Sequence, residues 1–163
     1  MLVREEKPED YATVYEVVAE AFGTADEAEL VVKLRAVEPH ISLVAEAGGE
    51  VVGHIFFSPV TAGDFVAMGL APMAVRPDWQ RRGVGSRLAE AGLAECRRLG
   101  YDAVFVLGHP EYYPRFGFVV ASKHGFSCEY DAPDEAFMVA ELTAGALAGR
   151  SGVVRYGPEF AAD

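Results

Sequence analysis

The stretch Leu70 to Leu99, L-A-P-M-A-V-R-P-D-W-Q-R-R-G-V-G-S-R-L-A-E-A-G-L-A-E-C-R-R-L, decides how the rest of the chain is read. Met68 to Val75 reads as a buried strand, Arg76-Pro77-Asp78 as a turn, Gln80 to Gly85 as a Gly-rich basic loop, and the segment after that loop as a helix. In that helix Val84, Leu88, Gly92, Cys96 and Leu99 recur at the i, i+4 and i+3 spacing that puts them on one face. The loop therefore opens onto a helix N-terminus, where the first backbone N–H groups lack partners and the peptide dipoles leave partial positive charge. Gly83 and Gly85 let a ligand approach bare backbone, and Arg81, Arg82 and Arg87 add full charges around it. From Arg76 to Arg98 the segment holds six Arg against three acidic residues, in a chain whose net charge is −11. The sequence concentrates its cations on one anion site.

What the loop lacks narrows the anion. A Walker loop needs a Gly-Lys pair, and none occurs. A dinucleotide fingerprint needs G-x-G-x-x-G directly after a strand, whereas G-V-G-S-R-L ends in Leu88 and seven residues separate Val75 from Gly83. Neither nucleotide motif fits.

Upstream, Leu2 to Arg4 reads as a short strand. Pro8 to Phe22 carries Tyr11, Val14, Tyr15, Val18, Ala21 and Phe22 at helical spacing and stops at Gly23. Thr24 and Glu27 read as a capping box for a second helix that includes Leu30, Val31 and Leu34 and ends before Pro39. Ile41 to Glu46 and Val51 to Phe57 form a hairpin about Gly48-Gly49, with Ser58-Pro59 ending the second strand and Thr61 to Asp64 turning into the central one. After the basic helix Gly100 reads as its cap, and Ala103 to Leu107 is the continuous apolar run of a buried parallel strand. Pro133 to Leu142 reads as a late strand and Gly152 to Phe160 as a closing one. A mixed sheet with helices on both faces accommodates this order.

Composition sets the bounds. The chain has 163 residues, 51% hydrophobic and 24% charged, enough for one domain, expected to span residues 1–163. No apolar run approaches the roughly 20 residues that span a bilayer, and the charged start Arg4-Glu5-Glu6-Lys7 is not a signal peptide, so a soluble cytoplasmic protein without a membrane partner is expected. The acidic balance argues against nucleic acid and suits amine or basic substrates. Cys96 and Cys128 read as reduced core thiols, and the four His at 40, 54, 109 and 124 show no metal-ligand spacing, so no metal is expected.

Gln80, Gly83 and Gly85 match the Q/R-x-x-G-x-G/A acetyl-CoA signature of the GNAT superfamily of N-acetyltransferases, which this segment resembles. Ala74 to Pro77, A-V-R-P, resembles the pantetheine-binding strand and exit turn of that family, and Tyr113-x-x-x-Gly117-Phe118 its tyrosine presented after the fifth strand. With the string L-G-H-P-E-Y-Y-P-R-F-G-F ending at Phe118, nearly the whole chain resembles the YhbS-like branch, most strongly from Gly69 to Phe118. The resemblance implies the GNAT fold, a mixed, mostly antiparallel sheet with helices on both faces and a splayed parallel strand pair at the cofactor site. It implies transfer of an acetyl group directly from acetyl-CoA to a primary amine of a small molecule, peptide or protein, with a homodimer possible.

By the same resemblance, backbone amides of Arg82 to Ser86 (Arg82, Gly83, Val84, Gly85 and Ser86), with Gln80 and Arg81, hold the pyrophosphate, and Met73, Ala74 and Val75 line the pantetheine. An N–H at Ala74 or Val75 serves the oxyanion, and Tyr113 is the general acid with Tyr112 in reserve. Many members carry a Glu on the central strand, but Gly69 to Val75 contains no carboxylate. His109, Glu111, His54, Glu46 or a water chain are the open candidates for the base. An acyl-CoA sensor or scaffold without turnover, a longer acyl group, or a hydroxyl acceptor are the competing readings.

Overall fold

The computed structural model describes residues 1–161, and the chain divides into two compact units. The first comprises Met1–Ser58 and Ala71–Gly92, the second Pro59–Leu70 and the chain from Leu93 onward.

In the first unit β1 (Leu2–Glu5) leads through one 3-10 turn, Pro8–Asp10, into α1 (Tyr11–Phe22), which ends at Gly23 in the left-handed region. Its buried face is Val14, Val17 and Val18; Tyr11 and Phe22, expected on that face, are exposed at its two ends. α2 (Asp26–Leu34) starts after Ala25, so the expected capping box is displaced: Thr24 sits one residue before the cap and accepts the Asp26 N–H at 3.4 Å. β2 (Ile41–Ala47) and β3 (Glu50–Ala62) pair antiparallel about Gly48-Gly49. Both glycines have φ near +60 to +80°, the conformation a two-residue type I′ turn demands. Side chains alternate faces along β3. Gly53 and Phe57 meet α3 (Val84–Arg98), while His54 looks the other way and is joined through Ser42 and Glu6 to Arg35 at the end of α2. Helices thus cover both faces here, as expected.

In the second unit β3 runs on through Ser58-Pro59 to Ala62 rather than ending there. Proline is tolerated because β2 stops at the Ile41↔Phe57 pair. Thr61, two residues on and aimed at the same edge, exchanges both backbone bonds with Arg155, at 3.0 and 2.7 Å, so Pro59 lies where no N–H is needed. β4 (Phe65–Val75) pairs parallel with β5 (Ala103–Leu107) over Met68–Leu70. Gly100, at φ +90°, ends α3 with its N–H on Arg97 and that of Tyr101 on Cys96. Leu99 is nearly half exposed, a correction to the helix face, because the helix has already ended at Arg98.

The expected late strand is shorter, β8 (Phe137–Glu141), after a 3-10 turn at Asp134–Ala136. The closing strand is only β9 (Gly152–Val154), since Pro158–Phe160 forms a 3-10 turn. β6 (Val119–Val120) and β7 (Phe126–Cys128) are additional. The core of this unit is aromatic: Phe105 meets Phe126 edge-on at 5.1 Å and stacks on Phe137 at 5.6 Å.

Seven strands pair in the order β1-β2-β3-β4-β5-β8-β6, and β7 pairs with β9 separately. The β1–β2, β2–β3, β5–β8 and β6–β8 pairings are antiparallel and β4–β5 is parallel, the mixed sheet expected from the resemblance.

Candidate functional site

The first part of the site is an open strand edge. The β4–β5 ladder closes at Leu70↔Val106, one residue before β5 ends at Leu107, and β4 continues to Val75 beyond it. Arg76 donates its N–H to the Val52 carbonyl at 2.9 Å. The Ala74 carbonyl lies over Gly53, 3.3 Å from where a Cβ would stand. Backbone groups two residues apart in a strand face the same edge, so Ala74 is turned toward β3, while Met73 and Val75 face the edge that β5 leaves uncovered. Of the two expected oxyanion donors, Ala74 is thus directed into the sheet and Val75 out of it. The Gln80 side-chain amide is committed here as well: its Nε2 donates to the Val75 carbonyl at 3.1 Å and pins the loop to the strand end.

The loop then turns sharply. Arg81 has φ +64°, the only non-glycine residue at positive φ among the described residues, a conformation that costs an L side chain roughly 1–2 kcal/mol. Gly83 follows at φ +83°, with open space around its Cα, so backbone conformation and not crowding calls for glycine there. Gly85 already lies inside α3. The Arg87 N–H bonds the Gly83 carbonyl at 3.1 Å, which leaves the N–H groups of Val84, Gly85 and Ser86 ahead of the helical ladder. Arg82 stacks its guanidinium 4.9 Å over the Trp79 ring, and Arg87 reaches the Met1 carbonyl at 3.4 Å. Among the described residues none of Arg81, Arg82 and Arg87 forms an ion pair with a carboxylate, whereas Arg76 lies 3.6 Å from Glu20. Three cations without carboxylate partners beside unpaired N–H groups fit a phosphate-bearing ligand.

Tyr113 belongs to the second unit and opens a 3-10 turn, Tyr113–Phe116, after β5. Its ring fills the space beside Gly108, where a Cβ would stand 2.5 Å from the ring Cε2. Phe118 and Tyr112 meet it edge-on at 5.6 and 5.1 Å. Burial pushes its phenol up to about 12, so the hydroxyl stays protonated at neutral pH. Tyr112 is half-buried under the Arg115 guanidinium, while His109 and Glu111 are exposed on the connecting loop.

The candidate bases differ sharply in their surroundings. Glu46 is committed to Arg4, whose guanidinium also forks onto Asp10. His54 is fully buried, and burial brings it down to about 4. Its Nε2 lies 2.8 Å from Ser42 Oγ, which donates to Glu6 Oε1 at 2.8 Å, and Glu6 is held by Arg35 at 3.1 and 2.6 Å. The single hydroxyl proton goes to the carboxylate, so Ser42 accepts from His54. The ring proton is therefore on Nε2, and Nδ1 keeps a lone pair without a partner among the described residues. A neutral, enclosed imidazole of this kind is a poor proton acceptor and a good cross-tie between β1, α2, β2 and β3. Sequence reasoning named His54 but missed this chain, since its members stand 12 to 36 residues apart. Cys96 is buried with its thiol pushed up to about 12, and both cysteines are free. Among the described residues no group of three or more His, Cys, Asp or Glu is placed to hold a metal, and no helix is long and apolar enough to cross a membrane.

An open strand edge running into a basic turn at a helix N-terminus is an arrangement suited to a phosphate-bearing ligand. The acetyltransferase (GNAT) family model matches residues 9–118. The uncharacterized N-acetyltransferase YjhQ of Escherichia coli K12 is 40% identical over 146 residues, covering 83% of this chain and 81% of its own. Its counterpart YhbS from the same strain is 36% identical, covering 98% of each chain. The crystal structure of Escherichia coli YhbS in complex with CoA matches 99% of this chain and 92% of its own, at a TM-score of 0.93 and 34% identity. A GNAT family acetyltransferase from Brucella melitensis in complex with acetyl-CoA matches 98% and 97%, at a TM-score of 0.81 and 33% identity. The chain belongs to the GNAT family of acetyltransferases.

Proposed function

We propose that this protein transfers an acetyl group directly from acetyl-CoA to a primary amine of a small molecule, peptide or protein, and that residues 1–163 act as one catalytic domain. The observation that carries the reading is the run from the uncovered β4 edge at Met73 and Val75 to the unpaired N–H groups of Val84, Gly85 and Ser86, flanked by Arg81, Arg82 and Arg87. The chain path supports reading the two units as one domain: β3, β4 and α3 each pass from one compact unit into the other.

In this reading the α3 N-terminus and the arginines take the phosphates of acetyl-CoA, which supplies the activated acyl group. The Val75 N–H, with that of Met73 on the same edge, faces negative charge that develops on the acyl oxygen, and needs no reorganisation because the strand fixes it. The family resemblance assigns Tyr113 the hydrogen bond to the departing sulfur, and burial keeps its hydroxyl protonated for that role. Full transfer from a phenol at about 12 to an ordinary thiolate near 8.5 runs uphill by roughly 5 kcal/mol, so Tyr113 acts chiefly as a hydrogen-bond donor. The amine's proton leaves through water or the exposed His109 and Glu111 rather than through His54. Release of free thiol from acetyl-CoA on adding a panel of small amines, amino acids and peptide N-termini, with mass spectrometry of the acetylated product, tests the proposal. Binding of acetyl-CoA without thiol release from any amine would replace it with the sensor reading.

A further inference from the structure

We propose that Gly53 is a positioning residue for the phosphate-binding end of the molecule: the missing side chain lets the first turn of α3 seat directly on β3. The inference rests on the reading that the α3 N-terminus takes the phosphates of CoA. Gly53 stands in the interior of β3 between Val52 and His54, where glycine weakens a strand and needs a local reason. It adjoins the β2–β3 register shift that leaves Val52 without a β2 partner, but its φ is not positive, so left-handed backbone freedom is not that reason. Crowding is. A Cβ on residue 53 would stand 2.9 Å from Val84 Cγ1, 3.0 Å from Leu88 Cδ1 and 3.3 Å from the Ala74 carbonyl oxygen.

These neighbours are parts of the site already described. Val84 is the first residue of α3 and fully packed, Leu88 lies one turn on, and Ala74 precedes the exit of β4. Val84 is β-branched and has few rotamers into which to retreat, so the contact is relieved by moving the helix start and not the side chain alone. The N–H groups of Val84, Gly85 and Ser86 move with it. Hydrogen bonds from backbone N–H weaken beyond about 3.2 Å, so a displacement well under 1 Å is enough to loosen an anion they hold. Gly53 therefore sets the register between the helix terminus and the strand edge without touching the ligand.

Calorimetric titration of the full chain with CoA tests this in four proteins: the parent, Gly53→Ala, Val84→Ile, and Gly53→Ala combined with Val84→Ala. Gly53→Ala is expected to weaken CoA about tenfold, the factor for losing one charge-assisted hydrogen bond. It should raise the KM for acetyl-CoA by a like factor while kcat falls less than KM rises. Val84→Ile adds a methyl group at the same contact from the helix side and is expected to weaken CoA in the same direction, which keeps the test open should Gly53→Ala fail to fold. The combined variant, which trims the opposing Cγ1, is expected to recover most of the lost affinity. CoA affinity unchanged in both single variants, or weakened by Gly53→Ala and not recovered in the combined one, overturns the proposal. Absence of binding to the parent protein overturns instead the reading beneath it.

Discussion

Gly92→Ala tests how α3 lies on the sheet, because local and tertiary physics pull in opposite directions there. Gly92 is in the middle of a helix, and replacing glycine by alanine at such a position stabilises by about 0.8–1 kcal/mol when nothing else intervenes. Here something does: a Cβ on residue 92 would stand 2.2 Å from Phe57 Cε1 and 2.3 Å from Cζ. That is roughly 1.3 Å inside ordinary carbon–carbon contact. Phe57 has no exposed surface, so its ring has no solvent to swing into, and an interior at crystal-like density offers little room. Overpacking of this kind costs about 1–3 kcal/mol, and overlap with a rigid ring belongs at the upper end. Setting the helix gain against it leaves a net loss of about 2 kcal/mol, or roughly 4–8 °C in Tm for a chain of this size. Urea denaturation of the parent, Gly92→Ala, Phe57→Leu and the double variant measures it. The two substitutions should cost less together than separately. A Gly92→Ala protein more stable than the parent, or strict additivity in the cycle, would refute the packing argument.

Tyr113→Phe should lower kcat by roughly 10–100-fold, the loss of one hydrogen bond to a charged group, with little change in CoA affinity, and an unchanged rate would remove Tyr113 as the donor. Because burial holds its phenol at about 12, Tyr113 should contribute no basic limb to the pH–rate profile below that value. Reversing Arg81 and Arg82 together to Glu should weaken CoA and flatten the salt dependence of binding while leaving Tm nearly unchanged; equal loss of folding would make the pair structural. His54, at about 4 when folded and 6.5 in an unfolded chain, makes the unfolded state bind more protons between those values. Stability should then be full above pH 6.5 and fall by up to about 3 kcal/mol as pH drops toward 4. Ring ¹⁵N shifts checked by titration should show a neutral Nε2–H tautomer to near pH 4, and a midpoint near 6.5 in the folded protein would contradict it.

Much of the fold was legible because it is written locally. The Gly48-Gly49 turn, the Gly23 and Gly100 helix ends, the apolar run Ala103–Leu107 and the loop before α3 each depend on neighbours within a few residues. Pro59 misled because its meaning depends on which strand edge is unpaired, and that is fixed by Arg155, almost a hundred residues away. Gly152 to Phe160 looked like one strand because apolar spacing does not register where a partner ends; β9 pairs with β7 for three residues only.

At the site, glycines are required for two different reasons. Gly83 is required by its φ, which a loop motif announces. Gly53, Gly92 and Gly108 are required by Val84, Phe57 and Tyr113, partners that only the fold brings against them. An isolated glycine inside a strand pattern was the available signal for Gly53. The oxyanion choice between Ala74 and Val75 was open for the same kind of reason, since it depends on which edge β3 occupies.

Whether the β4 edge and the α3 N-terminus together bind acetyl-CoA is decided by calorimetric titration of the purified protein with acetyl-CoA. The expected result is saturable binding at one site per chain that weakens with salt and is lost when Arg81 and Arg82 are both reversed to Glu. Absence of binding, or binding indifferent to those two residues and to salt, would contradict it.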